Sequence, residues 1–219
     1  MNDEERREHI ERQGDTTRVL ALSDGVFAII LTLLVLEIRV PDLNIDEGLG
    51  DALRDIRPSF IAFLISFVVV ANAWARHRDL FSLIRRTDRL VIWLNLLYML
   101  PLTVLPFGTA LLARYNRDPV ALEIYGLILV AIQLTRLAIW GYVTGRPELL
   151  YAPVPERSRW NRALVVTIPT VAYVIAIAIA DRYPTASLAI YALTPVIYFV
   201  AISLARKGAD PASAEQNLT

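Results

Sequence analysis

Cysteine is absent from this 219-residue chain. Its absence removes disulfides, thiolate nucleophiles and thiolate metal sites together. A surplus of either charge is missing too, since 22 Lys and Arg face 22 Asp and Glu, and no basic excess points to nucleic acid. The first 17 residues are polar and of mixed charge. They lack the apolar run and small-residue cleavage site of a secretory leader, so the first apolar segment is expected to be retained. There is no H-E-x-x-H, no G-x-S-x-G and no phosphate-cradling glycine loop. The run His77-Arg78-Asp79-Leu80 mimics a kinase catalytic loop, but no glycine-rich loop or D-F-G accompanies it, so the match is chance. The chain is expected to be no enzyme and to need no cofactor.

What is abundant is apolar sequence. Hydrophobic residues make up 55% of the chain and the mean hydropathy is +0.45, far too apolar for an ordinary soluble domain of this size. The expected fold class is an all-α polytopic membrane protein with six transmembrane helices, at about 18–38, 58–78, 90–112, 119–142, 160–180 and 184–204, each near the roughly 20 residues that a crossing needs. This gives a cytoplasmic tail at 1–17, a transmembrane domain at 18–204 and a second tail at 205–219. The 39–57 connection is acidic and has room for a short surface helix. Pro101 and Pro106 are expected to bend the third span, Pro169 the fifth and Pro195 the sixth. With the N-terminus inside, fifteen Lys and Arg fall in cytoplasmic segments and six outside, which puts both termini in the cytoplasm.

Residues 18–41, R-V-L-A-L-S-D-G-V-F-A-I-I-L-T-L-L-V-L-E-I-R-V-P, carry the most information. Twelve uncharged residues separate Asp24 from Glu37. A carboxylate within a span costs roughly 2.5–3.5 kcal/mol on insertion scales, so Asp24 needs a partner or a task. Gly25, Ile29, Thr32, Leu33 and Leu36 recur at helical spacing and share one face. Asp24, Asn72, Asn95 and Arg136 lie at one depth, roughly 9 Å below the inner surface at helical rise, with Ser23 and Gln133 close to the same level. Mutual pairing is the cheapest arrangement for such groups, which predicts a hydrogen-bonded belt fixing the first helix against the others. Arg18, His77 and Arg136 are available to keep Asp24 ionised.

The pattern R-x-x-x-F-S-D followed by G-V-F-A-I-x-x-T-L-L-V-L-E-I resembles the signature of the transmembrane protein 175 family of potassium channels. Arg18, Ser23, Asp24, Gly25, Val26, Phe27, Ala28, Ile29 and the run Thr32 to Ile38 match it, and Leu22 replaces the aromatic of the pattern. W-A-R-H-R-D-L-F-S-L-I-R-R-T-D-R-L, L-N-L-L-Y and L-P-F are similar to the family's second and third spans, so the good match covers about residues 17–112. The resemblance implies that the arginine and serine–aspartate pair of the first helix, here Arg18, Ser23 and Asp24, bond with Trp74, His77 and Asn95. It also implies that Ile29 projects into a central path as the narrowest hydrophobic ring, and that a single-repeat chain assembles as a homotetramer whose four first helices line the pore.

Each candidate has a bland counterpart. An isolated isoleucine in a span is ordinarily packed or lipid-facing. Thr32 ordinarily bonds back to the carbonyl of Ala28; functionally, a ring of Thr32 hydroxyls replaces part of a potassium ion's hydration shell, with Leu33 and Leu36 extending the narrow section outward. No charged ring or T-V-G-Y-G filter is present, so selectivity for potassium over sodium is expected to be modest. The expected function is a potassium-permeable leak-type cation channel in a prokaryotic plasma (inner) membrane, with the bilayer, monovalent cations and further copies of itself as partners. A secondary ion or proton carrier using Asp24 and a non-conducting membrane scaffold stay open as alternatives.

Overall fold

The computed structural model describes the backbone of residues 3–40 and 48–207 and, within these, the side chains of 16–40, 48–160 and 167–200. These residues form seven α-helices: α1 (Asp3–Val35), α2 (Leu49–Asp55), α3 (Arg57–Phe81), α4 (Arg89–Arg114), α5 (Pro119–Thr144), α6 (Glu156–Ile179) and α7 (Pro184–Lys207). Four stretches are long and apolar enough to cross a bilayer: Thr16–Val35, Arg57–Phe81, Arg89–Arg114 and Pro119–Thr144. The predicted fifth and sixth spans are helical where expected, but their described apolar parts, Thr167–Ile179 and Pro184–Val200, are shorter. The segment read as an N-terminal tail is helical from Asp3 and continuous with the first span. The 39–57 connection does contain a short helix, α2.

Local chemistry explains the boundaries. Asp88 caps α4 by accepting from the Val91 amide at 2.8 Å, and Asp118 caps α5 by accepting from Val120 and Ala121; such caps satisfy amides the first turn leaves free. Pro58 and Pro119 stand at helix starts, where the missing N–H costs nothing. Pro101 and Pro106 lie within α4, Pro169 within α6 and Pro195 within α7, and each helix continues through them.

The bundle is built on α3, α4 and α5, with α6 and α7 packed against α5 and α7 also against α3. Among the described residues, helix α1 packs chiefly on α3 and α4, at the flank of the bundle. In lipid, apolar burial between helices gains little beyond dispersion, so close fit and hydrogen bonds choose the neighbours. Gly126 makes such a fit possible. A Cβ there would collide with the Tyr191 hydroxyl and Ile177, and that hydroxyl donates across the interface to the Leu122 carbonyl at 3.0 Å.

Three ends of the chain's elements meet on one side. The Thr87 amide donates to Thr16 Oγ1 at 3.1 Å, tying α1 to the α3–α4 connection. The Arg85 amide donates to Leu149 O and the Tyr151 amide to Leu83 O, a bridge between the α3–α4 and α5–α6 connections. These are the arginine-rich segments that the charge asymmetry assigns to the cytoplasm, and they do share a face.

Candidate functional site

Helix α1 has two unlike faces. Thr16, Val19, Ser23, Phe27, Ile30 and Leu34 are buried, at steps of three and four, against α3 and α4. Opposite them, Gly25, Ile29, Thr32, Leu33 and Leu36 are all exposed, Ile29 at 59% and Leu36 at 67%. The predicted stripe is therefore the uncovered face of the subunit. Thr32 Oγ1 donates to the Ile29 carbonyl at 2.8 Å rather than to Ala28. Its proton is thus used within the helix, while the oxygen lone pairs stay available on an exposed surface.

The buried face is anchored by polar bonds. Asn95 Nδ2 donates to Ser23 Oγ at 2.9 Å, and Ser23 Oγ donates to the Val19 carbonyl at 2.9 Å. His77 Nε2 is 2.8 Å from Asn95 Oδ1, and since an amide oxygen only accepts, this nitrogen carries the proton. The chain Ser23–Asn95–His77 thus links α1 through α4 to α3. The His77 ring stacks on Phe81 at 4.3 Å and on Tyr98 at 5.8 Å, and Phe27 of α1 closes the cluster 5.6 Å away. This aromatic packing explains why the His-Arg-Asp-Leu run has no catalytic surroundings.

Asp24 is held separately. Trp74 Nε1 donates to Asp24 Oδ1 at 2.9 Å, and the Arg78 guanidinium lies 5.5 Å from the Trp74 ring. Both residues are exposed at the side of the α1–α3 contact. So the structure brings together Ser23, Asp24, Trp74, His77 and Asn95, as two short chains rather than one belt.

The other expected members lie elsewhere. Arg18 is exposed, in register with Ile29 and Leu36 on the uncovered face, and among the described residues no ion pair joins it to Asp24. Asn72 turns away from α1 and donates to the Pro195 carbonyl of α7 at 2.9 Å. Arg136 is buried in α5, and its Nε and Nη2 have no hydrogen-bond partner. Spacing along separate helices gave depth but not azimuth, and it is azimuth that sends Asn72 and Arg136 to other interfaces.

A second polar layer escaped the sequence reading. Near the opposite end of the bundle, Thr109 Oγ1 donates to Ser66 Oγ at 2.7 Å, and Ser66 Oγ is 2.9 Å from the Tyr125 hydroxyl. These residues join α3, α4 and α5 without α1. Ser, Thr and Tyr are common enough in spans to look unremarkable singly; their equal depth was the available signal. Phe27 was also passed over, although its position one turn beyond Ser23 places it on the packed face.

The fold and this site define an α-helical membrane protein whose first helix is anchored on one side and bare on the other. The family model described as "Endosomal/lysosomal potassium channel TMEM175" matches residues 18–106. A potassium channel of Streptomyces collinus is 34% identical over 188 residues, covering 84% of this chain and 91% of that protein. The crystal structure of a lysosomal potassium-selective channel TMEM175 homolog from Chamaesiphon minutus superposes with a TM-score of 0.77 at 32% identity, covering 86% of this chain and 98% of that one. The human endosomal/lysosomal proton channel TMEM175 is 30% identical over 148 residues, which are 67% of this chain and 29% of the human protein. The chain belongs to the TMEM175 family.

Proposed function

We propose that this protein is a potassium channel, a leak-type pore of modest selectivity for potassium over sodium formed by four copies of the chain. One observation carries the reading: the Gly25–Ile29–Thr32–Leu33–Leu36 face of α1 is left uncovered by its own subunit, while the opposite face is locked to α3 and α4. A single helix face cannot enclose a path, so copies of α1 meet around an axis. Each subunit crosses the membrane six times, with α6 and α7 completing the count. Both termini lie in the cytoplasm of a prokaryotic cell, on the side where Thr16, Thr87 and the α5–α6 connection meet.

In this arrangement Ile29 forms the tightest ring. Branched aliphatic walls of that kind expel water and halt ions without a moving plug. Thr32, one turn further out, offers its oxygen to a partly dehydrated potassium ion because its proton is already given to the Ile29 carbonyl. Leu33 and Leu36 prolong the narrow section. Arg18 stands at the cytoplasmic mouth, on the same face as Ile29 and Leu36. An alternating-access carrier calls for discontinuous helices, whereas α1 runs unbroken from Asp3 to Val35, which favours the channel over the carrier.

Purified protein in liposomes under a potassium gradient tests the proposal. Ile29→Asn hydrates the constriction and is expected to raise potassium flux about tenfold, equivalent to roughly 1.4 kcal/mol off the barrier. Flux equal to that of the native chain would remove Ile29 from the pore.

A further inference from the structure

Behind the layer that anchors α1, Arg136 is buried and Arg76 half-buried, and among the described residues no carboxylate forms an ion pair with Arg136. Arg136 of α5 is 8% exposed, with Nε and Nη2 unpartnered. Arg76 of α3, next to His77 in the chain, has a buried, unpartnered Nε and lays its guanidinium 3.6 Å over the Tyr198 ring of α7. The Tyr198 hydroxyl is itself buried and unbonded. The two guanidinium groups are near enough to interact electrostatically, and Asp79 is the carboxylate whose field reaches Arg76. Asp79 is also 3.9 Å from Arg78, which shares its charge.

This arrangement is costly as it stands. Guanidinium does not give up its proton, removal of an ion from water costs several kcal/mol, and two like charges in a weakly screened interior repel. Arg76 lines a cavity of about 30 Å³ between α3, α5, α6 and α7, whose other polar lining residues are Asn72, Gln133, Tyr173, Thr194 and Tyr198. Arg136 follows Gln133 by one turn on the same face of α5. The volume suits one or two waters or one compact anion. Water supplies acceptors but no charge, so it satisfies the donors and leaves the repulsion.

We infer that this inter-helix pocket binds a compact anion, bracketed by the guanidinium groups of Arg76 and Arg136 with the Tyr198 hydroxyl as a third donor. The anion is either a phosphate oxygen of an inner-leaflet lipid or a free halide; both offer acceptors only and a negative charge. Bound there, it ties α3 to α5 and α7 at the level where α3 holds α1.

Thermal unfolding of the purified full chain tests this. One arm compares detergent solutions of potassium chloride and potassium gluconate at equal concentration, gluconate being too bulky for the cavity. The other compares nanodiscs of phosphatidylcholine with and without phosphatidylglycerol. The expected result is a midpoint about 2–4 °C higher in at least one arm, with that gain lost in Arg136→Gln and reduced in Tyr198→Phe. A gain in chloride alone identifies a free anion, and a gain with phosphatidylglycerol alone identifies a lipid headgroup. Equal midpoints in both arms would overturn the proposal. So would a gain that Arg136→Gln retains; if that variant fails to fold, a full gain in Tyr198→Phe, which keeps the ring under Arg76, counts equally against it.

Discussion

Toward the end of the bundle where Thr16 meets Thr87, hydrogen bonds run from Ser23 of α1 to Asn95 of α4 and on to His77 of α3. Near the other end they run among Ser66, Thr109 and Tyr125 of α3, α4 and α5, and α1 has no part in them. The spacing of the two layers along α3, from Ser66 to His77, is about 16 Å at helical rise. Further along, the described contacts of α1 with the core are apolar, made by Phe27, Ile30 and Leu34 with Val26 and Leu31 beside them. Helix α1 is thus hydrogen-bonded at one end and packed along the rest, whereas α3 and α4 take part in both layers. On the proposed function, the difference locates where a pore wall made by α1 is free to adjust: the stretch that carries Ile29, Thr32 and Leu36.

The largest effect on this contrast is expected from Phe27→Ala. It empties a fully buried aromatic position between His77 and Tyr98, a loss of about 3–5 kcal/mol, seen as reduced yield and a lower unfolding midpoint. Next comes Asn95→Ala, which strands His77 Nε2 and frees Ser23; roughly 1–2 kcal/mol is expected from hydrogen bonds inside a membrane protein. Because α1 is then unpinned, potassium flux in liposomes should change together with stability. Thr109→Val breaks the outer layer and should cost only about 0.6 kcal/mol, the typical figure for such bonds, with flux as in the native chain. A flux change as large as that of Asn95→Ala would erase the distinction between the layers. Smallest in stability is Thr32→Val, at an exposed position, where the midpoint should stay put and the potassium-to-sodium permeability ratio, read from reversal potentials, should fall.

Much of this plan was legible in the sequence because a bilayer imposes strong rules. Long apolar runs announce helices, and the arginine-rich connections that charge asymmetry groups together do meet on one face. The exposed stripe was readable because Gly25, Ile29, Thr32, Leu33 and Leu36 follow one helical repeat, whose periodicity determines azimuth as well as depth. The polar belt was readable only in part. Ser23, Asp24, Trp74, His77 and Asn95 do pair, but as two separate chains, and the partner of Asp24 is an indole N–H rather than an arginine. Asn72 and Arg136 share the depth yet point to α7 and to the interior, since rotation of one helix about its axis relative to another is set by packing that a linear pattern does not encode. The outer layer went unseen for a related reason: Ser66, Thr109 and Tyr125 acquire meaning only once α3, α4 and α5 are side by side.

The absence of native cysteine makes the decisive measurement simple, since Ile29→Cys introduces the sole thiol. Potassium flux through liposomes of this variant is recorded before and after a water-soluble methanethiosulfonate reagent, with the extent of labelling read by mass. If four copies of α1 surround the path, position 29 is labelled and flux is lost. Complete labelling with undiminished flux, or a conducting protein whose position 29 never meets the reagent, would contradict a pore lined by this face of α1.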